Sequence, residues 1–390
     1  MTSTTAGPYQ PKFLALKAAV HQAEELSEGG SVVRGRGGAL VVVRIRGRAL
    51  PHGEHVDLYA DGDRWTTDPV PNAELVAEGW LVPGLVDAHT HPGAEAPGDP
   101  LDHGMLRDHL RQHVDAGVAV IRAPGLAGEP PPWFGTDPDT PRAWHAGPWL
   151  AQHGQFFDGW GRRADHAELP AIAAAQAART GWAKVIGDWR SDGEPVPLEV
   201  LTAVVEAVHA VGGRVAVHTQ QAAGGEVAVL AGADSVEHGM QLDADLLTRM
   251  AEQGTALTPT LSITDRTLPE VRRRPDSPAK RWYVRGAEAH AGLVAAAAEA
   301  GVRVLAGTDS VPHGRIIDEV RALAAAGMRP HAALAAASWD ARAYLGLPGL
   351  EPGAPADAVV YAEDPRADLD QLAHPVAVIL RGRPVRVRGK

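Results

Sequence analysis

Residues 81–91 read Leu-Val-Pro-Gly-Leu-Val-Asp-Ala-His-Thr-His. An apolar run ends in two histidines, His89 and His91, two positions apart. On an extended strand both side chains then point to one face. Two imidazoles at the C-terminal end of an apolar strand are a place for a divalent metal, and that end is where parallel barrels carry their chemistry. His-x-His alone is a common accident, so the rest of the chain has to support it.

Working outward, eight strand candidates follow in order: Leu81–His89, Ala119–Ala123, Trp149–His153, Trp182–Gly187, Arg214–Thr219, Asp234–His238, Ala256–Leu261 and Val302–Thr308. Helical segments fall between most of them, at Leu101–Ala116, Leu169–Thr180, Leu198–Val211, Asp243–Gln253 and Glu288–Ala300. This alternation predicts an α/β chain built as a (β/α)8 TIM-type barrel over residues 81–350. An open doubly wound sheet is the runner-up, and it explains the flanking β segments less well.

Those flanks carry Ala39–Ile45, His55–Tyr59, Asp357–Tyr361, Val376–Leu380 and Val385–Val387, with turn signals at Asp61-Gly62-Asp63 and Arg381-Gly382-Arg383. Residues 31–80 and 351–390 are therefore expected to form one small β-sandwich domain from both ends of the chain. Residues 1–30 stand apart, and Leu14, Leu16, Val20, Ala23 and Leu26 suggest a short amphipathic helix.

Four further strand ends carry metal-type side chains. Lys184 lies in Trp-Ala-Lys-Val-Ile-Gly, with the strand parity of Trp182 and Ile186. A buried lysine needs a purpose, and a desolvated neutral amine can add CO2 to become an anionic carbamate. His218 closes Arg-Val-Ala-Val-His, His238 closes Asp-Ser-Val-Glu-His, and Asp309 follows Leu-Ala-Gly-Thr. Taken singly, each has an ordinary explanation: a strand-end lysine, a hydrogen-bonded histidine, a turn carboxylate. Glu237 has the opposite parity to His238 and reads as a structural partner.

Spacing decides between the ordinary and the chemical reading. Lys184 to His218 spans 34 residues and His218 to His238 spans 20, each room for one strand–helix unit, while His238 to Asp309 spans 71, room for two. The candidates then sit at the ends of the first, fourth, fifth, sixth and eighth strands, on one rim of one barrel.

From about residue 36 to 390 this constellation resembles the amidohydrolase superfamily. His89 and His91 match its first-strand pair, Lys184 its carboxylated lysine, His218 and His238 its fifth- and sixth-strand ligands, and Asp309 its eighth-strand aspartate. Asp-Ser-Val-Glu-His-Gly, Gly-Thr-Asp-Ser and Glu-Pro-Gly-Ala-Pro-Ala-Asp-Ala-Val-Val are similar to the imidazolonepropionase-like and prolidase-like group. The resemblance implies two divalent cations, zinc first among them, bridged by N6-carboxylysine at Lys184. It implies cleavage of a C–N bond in a dipeptide, N-acyl amino acid or related small amide by metal-activated hydroxide, with Asp309 as the proton shuttle. A mononuclear enzyme that opens a cyclic amide or imidazolone ring is the alternative. A catalytically inactive scaffold is a second alternative, and such a protein should have lost ligands. Relatives often carry a Gly-Gly-His-Gly-type segment after the third strand; here the stretch is His153-Gly-Gln-Phe-Phe-Asp-Gly-Trp-Gly161.

For substrate contacts the expectations are Arg122, as a clamp for a carboxylate or a structural ion pair, His313 just past Asp309, and Trp189. Six of the ten tryptophans fall between Trp133 and Trp189. Core packing and an aromatic-lined substrate pocket both account for them. The net charge of −11 argues against nucleic acid and anionic membranes as partners. With no cysteine the chain has no disulfide and no thiolate ligand, and no apolar segment reaches the ~20 residues of a membrane span. No secretion signal is read in Lys12, Lys17, Glu24 and Glu25, so the expectation is a cytoplasmic enzyme with a small-molecule substrate. Homo-oligomerisation stays open.

Overall fold

The computed structural model describes residues 41–387. The helix expected within residues 1–30 lies outside them.

Both ends of the described chain meet in one seven-stranded sheet. Its order is Arg383–Val387, Ala377–Leu380, Ala358–Tyr361, Ala73–Pro83, Val42–Ala49, Glu54–Asp61 and Arg64–Thr66. Val42–Ala49 pairs antiparallel with Glu54–Asp61 and parallel with Ala73–Pro83, and Ala73–Pro83 pairs antiparallel with Ala358–Tyr361. Strand periodicity turns Val43, Ile45, Leu58 and Trp65 inward onto Leu81, Val360 and Ile379, while alternate residues such as Arg46 and Arg48 face water. The hydrogen bonding thus records one sheet where a sandwich was expected.

The remaining strands are parallel. Leu85–Asp87 pairs with Val118–Ala123, which pairs with Arg142–His145. Leu150–Ala151 pairs with Trp182–Ile186, followed by Arg214–Thr219, Ser235–His238 and Ala256–Thr258. Val118–Ala123, Trp182–Ile186 and Arg214–Thr219 are buried almost without a break, as strands covered by helices should be. Ala146 donates to the Ala123 carbonyl (3.1 Å), so residues 142–151 pass from the first group of strands to the second. At the other side, Leu305 donates to Leu257 O and Ala88 to Ala306 O, at 2.9 and 2.8 Å. The result is a TIM-barrel-like α/β fold. The third strand candidate, Trp149–His153, holds the short strand Leu150–Ala151, a separate strand at Arg142–His145 precedes it, and the last candidate, around Val304, is an isolated bridge to Leu257. No helix among the described residues is long and apolar enough to cross a membrane.

Candidate metal centre

All six residues singled out by spacing line one pocket: His89, His91, Lys184, His218, His238 and Asp309. Strand parity put Trp182, Lys184 and Ile186 on one face, and the structure stacks them along it. Trp182 packs in the interior below the site, and Ile186 lines the pocket with Lys184.

The tightest grouping is His89, His91 and Asp309, whose donor atoms lie within 4.8 Å of one another. His89 Nε2 and His91 Nε2 are 3.1 Å apart, and Asp309 Oδ1 is 3.5 Å from His91 Nε2 and 4.0 Å from His89 Nε2. The outer nitrogens are fixed. His89 Nδ1 donates to Glu237 Oε2 at 2.6 Å, since a carboxylate can only accept, and His91 Nδ1 donates to the Gly125 carbonyl at 2.7 Å. Both protons are therefore on Nδ1 and both Nε2 lone pairs face the gap between the rings. That is the tautomer and aim a metal-binding histidine needs. Burial holds the His89 ring well below its ordinary pKa and lowers His91 as well. A neutral imidazole is the ligating form. His238 joins the group with its ring 4.9 Å from His89 and 4.6 Å from His218, and its Nδ1 is 2.8 Å from Thr260 Oγ1. The donor set therefore fits a divalent metal, with Glu237, Gly125 O and Thr260 as the outer supports.

Local backbone explains how the loops reach this geometry. His238 and Asp309 have φ of 66° and 46°, and Phe156, also on the pocket, has 69°. Non-glycine residues in the left-handed region cost of order 1–3 kcal/mol each, and such strain gathers at functional sites. Asp87 ties the strand ends together: its carboxylate accepts from Thr308 N (3.1 Å), Thr308 Oγ1 (2.6 Å) and His89 N (3.2 Å). Burial pushes Asp87 up to about 7. Gly307 permits the approach, because a Cβ there would lie 2.5 Å from His89 Cβ.

Three substrate contacts were expected, and one lines the pocket. Trp189 does. Arg122 is buried, with Nη2 donating to Glu237 Oε1 and Oε2 at 2.8 and 2.9 Å and Nε to Ala88 O at 2.7 Å. It neutralises the carboxylate that orients His89 and does not reach the pocket, so its place is the structural ion pair. His313 turns away too, against His109 and His113 with ring centroids 4.2 and 5.1 Å off, and Thr90 Oγ1 lies 3.0 Å from its Nδ1. This buried histidine group behind the site escaped sequence reading. The signal was the His109/His113 pair four apart on one helix face.

Facing the ligands is an aromatic wall of Trp149, Phe156, Phe157, Trp160 and Trp189. Three of the six clustered tryptophans thus serve the pocket, whereas Trp182 packs on Tyr344 and Trp133 under Arg107.

Comparison with known proteins agrees with this geometry. The model of a family described as the amidohydrolase family matches residues 138–385. A protein of Mycobacterium tuberculosis H37Rv, described only as uncharacterized, is 41% identical over 363 residues, covering 88% of this chain and 95% of its own. Among solved structures, a Xaa-Pro dipeptidase with bound methionine in its active site aligns with a TM-score of 0.75 at 22% identity, over 88% of this chain and 99% of that one. A. niger ochratoxinase gives 0.75 at 21% identity, over 90% and 96%. At these identities the structural likeness speaks for the fold.

Proposed function

The chain belongs to the amidohydrolase family and is a hydrolase acting on C–N bonds, and from that premise we propose that it cleaves a small amide at the His89–His91–Asp309 pocket. The dipeptide, N-acyl amino acid and related small amide classes all contain the bond concerned. The observation that carries the proposal is the pair of Nε2 atoms held 3.1 Å apart by outer hydrogen bonds, with Asp309 beside them. With Arg142–His145 and Leu150–Ala151 taken as one position and the segment at 303–306 as the last, the parallel strands named above are the eight positions of a (β/α)8 barrel in this reading.

His89, His91 and Asp309 would hold one divalent ion, and His218 and His238 a second, with zinc the first candidate. Lys184 joins them as N6-carboxylysine: its neutral Nζ adds CO2 and releases a proton, leaving an anion beside the histidines. Metal ions so bound acidify water and polarise a carbonyl. Asp309 receives the proton of the attacking water at its carboxylate and delivers it to the amide nitrogen as the C–N bond breaks, because an amine anion is a poor leaving group. Glu237 and the Gly125 carbonyl keep the two histidines in one tautomer throughout. A mononuclear ring-opening enzyme is the second reading, favoured by the compactness of the three-residue group.

Metal content measured beside activity separates them. Protein prepared without chelators should hold close to two divalent ions per chain, and Lys184→Ala should lose at least one of them with most of the activity. Asp309→Asn that keeps its metal should still fall in kcat by about 10²–10⁴-fold. One ion per chain at full activity would leave the mononuclear reading standing, and an Asp309→Asn enzyme with its metals and near-normal kcat would remove Asp309 from the proton path.

A further inference from the structure

The aromatic wall faces the metal ligands across a pocket with little else that is polar. Trp149 lies 5.0 Å from the His91 ring and stacks on Trp160 at 5.1 Å with 16° between planes. Trp189 lies 5.5 Å from His218 and takes Phe156 and Phe157 edge to face at 5.0 and 4.6 Å. Ile186 completes the surface. The polar edge of Trp160 points elsewhere, since its Nε1 donates to Asp99 O at 2.7 Å. Trp160 therefore offers the pocket its apolar ring.

Cations are accounted for as well. Among the described residues that line the pocket, Lys184 is the only lysine or arginine, and it sits within the metal group. Arg122 is committed to Glu237. Arg163 does not line the pocket: it donates to the Trp160 and Phe157 carbonyls at 2.6 and 2.7 Å, with its guanidinium 6.0 Å from the Phe156 ring centroid. Arg190 is turned to Asp192 at 3.2 Å. A substrate carboxylate lodged against the rings would be desolvated without a cationic partner, which is costly, whereas an apolar ring there gains aromatic contact with the wall.

We propose that the substrate is an uncharged amide carrying an aromatic group, seated against Trp149, Phe156, Phe157, Trp160 and Trp189. A dipeptide or N-acyl amino acid with a free carboxylate on that side is excluded. This rests on the C–N hydrolase reading and narrows it.

Three amides test the pocket in the metal-loaded enzyme: acetanilide, 4-acetamidobenzenesulfonate and N-methylacetamide. They share one acetamide group and differ in the ring and in a permanent anion at its far end. Each is followed by turnover and, separately, by quenching of tryptophan fluorescence on binding. Acetanilide should bind at least tenfold more tightly than the other two and be turned over with at least tenfold higher kcat/KM. Phe156→Arg, which places a cation on the wall without asking more of a backbone already at φ 69°, should move the sulfonate at least tenfold closer to acetanilide. Trp189→Phe should weaken acetanilide severalfold while keeping its order over N-methylacetamide. Equal binding of acetanilide and the sulfonate, or of acetanilide and N-methylacetamide, would overturn the inference. A binding preference for acetanilide with no turnover of any amide would uphold the neutral aromatic pocket and sink the C–N reading. Turnover of all three amides at like rates without a binding preference would do the reverse.

Discussion

Glu237 shows how a residue outside the metal group can set its chemistry. Its carboxylate is fully buried and receives His89 Nδ1, Arg122 Nη2 and Ser235 Oγ, the last at 2.5 Å. One charge thereby fixes the tautomer of His89 and neutralises a guanidinium that has no access to water. Glu237→Gln keeps the shape and removes the charge. Leaving Arg122 buried and unpaired should cost about 3–5 kcal/mol, and losing the carboxylate behind a ligand should weaken metal binding about 10–100-fold. Urea unfolding of the metal-free variant reads the first and metal titration the second; a variant normal in both would make Glu237 a bystander. That His89, His91, Lys184, His218, His238 and Asp309 share one pocket was legible because strand parity and spacing fix where a side chain points. The Arg122–Glu237 pair was not, because its partners stand 115 positions apart and either could have faced the pocket. His313 was misplaced for a related reason. Proximity to Asp309 in sequence says nothing of the turn that sends its ring to His109 and His113.

The elements were legible where their pattern was periodic. The helix at Leu169–Thr180 and the strand at Arg214–Thr219 stand at the expected bounds. The helix at Ala222–Leu230 went unseen because Gly224 and Gly225 lower its propensity, and the one at Leu261–Arg273 because Pro269 lies inside it. That second helix has a cap which no local pattern announces. Thr260 precedes it at φ 54° without a side-chain cap, and Glu319 reaches over from another helix to accept from Leu261 N and Ser262 N at 2.9 and 2.7 Å. Thr260 also meets His238, so the cap steadies a support of the site. Burial outweighs these hydrogen bonds and pushes the Glu319 carboxyl from 4.5 up to about 7. A raised folded-state pKa means that folding takes up protons. The contribution is therefore fully present below about 4.5 and is lost as pH rises through about 7. Asp87 and Asp188, both pushed up to about 7 by burial, add slopes of the same sign. In Glu319→Gln those two remain, so the wild-type-minus-variant difference isolates Glu319. Wild type should lose up to about 3 kcal/mol more than the variant between pH 4.5 and 8 in denaturant unfolding. Parallel curves would show that Glu319 folds with its proton state unchanged.

At the scale of the molecule, the question is how a sheet gathered from both ends of the described chain is held to the parallel strands that carry the site. Apolar packing contributes on both sides of the junction, since Val82 and Val359 belong to the same buried cluster as Leu85 and Val118. The polar tie is Asp357, a fully buried residue at the edge of the strand Ala358–Tyr361. Its carbonyl accepts from Gly84 N at 3.1 Å, at the entry to the strand that leads to His89. Its carboxylate accepts from Arg142 Nε at 2.8 Å and from Arg381 N at 2.8 Å, and lies 3.9 Å from the buried Arg342. Arg142 begins a strand of the parallel group, Arg342 sits on the helix Trp339–Tyr344, and Arg381 turns between two strands of the terminal sheet. One carboxylate thus binds groups from three parts of the fold in an interior where charges are weakly screened. Asp357→Asn leaves the buried Arg342 without its anion and Arg142 with only the half-exposed Asp63, 3.6 Å away, and the expected loss is about 3–5 kcal/mol, far above the 0–1 kcal/mol of a surface pair. The location of the loss is the sharper test. Amide hydrogen exchange in Val42–Ala49 and Ala358–Tyr361 should accelerate more than in Trp182–Ile186, because the variant loosens the junction and leaves the interior of the parallel strands intact. Equal acceleration in all three segments would mean that the terminal sheet and the parallel strands unfold as one unit held by the apolar contacts, with Asp357 contributing no particular tie between them.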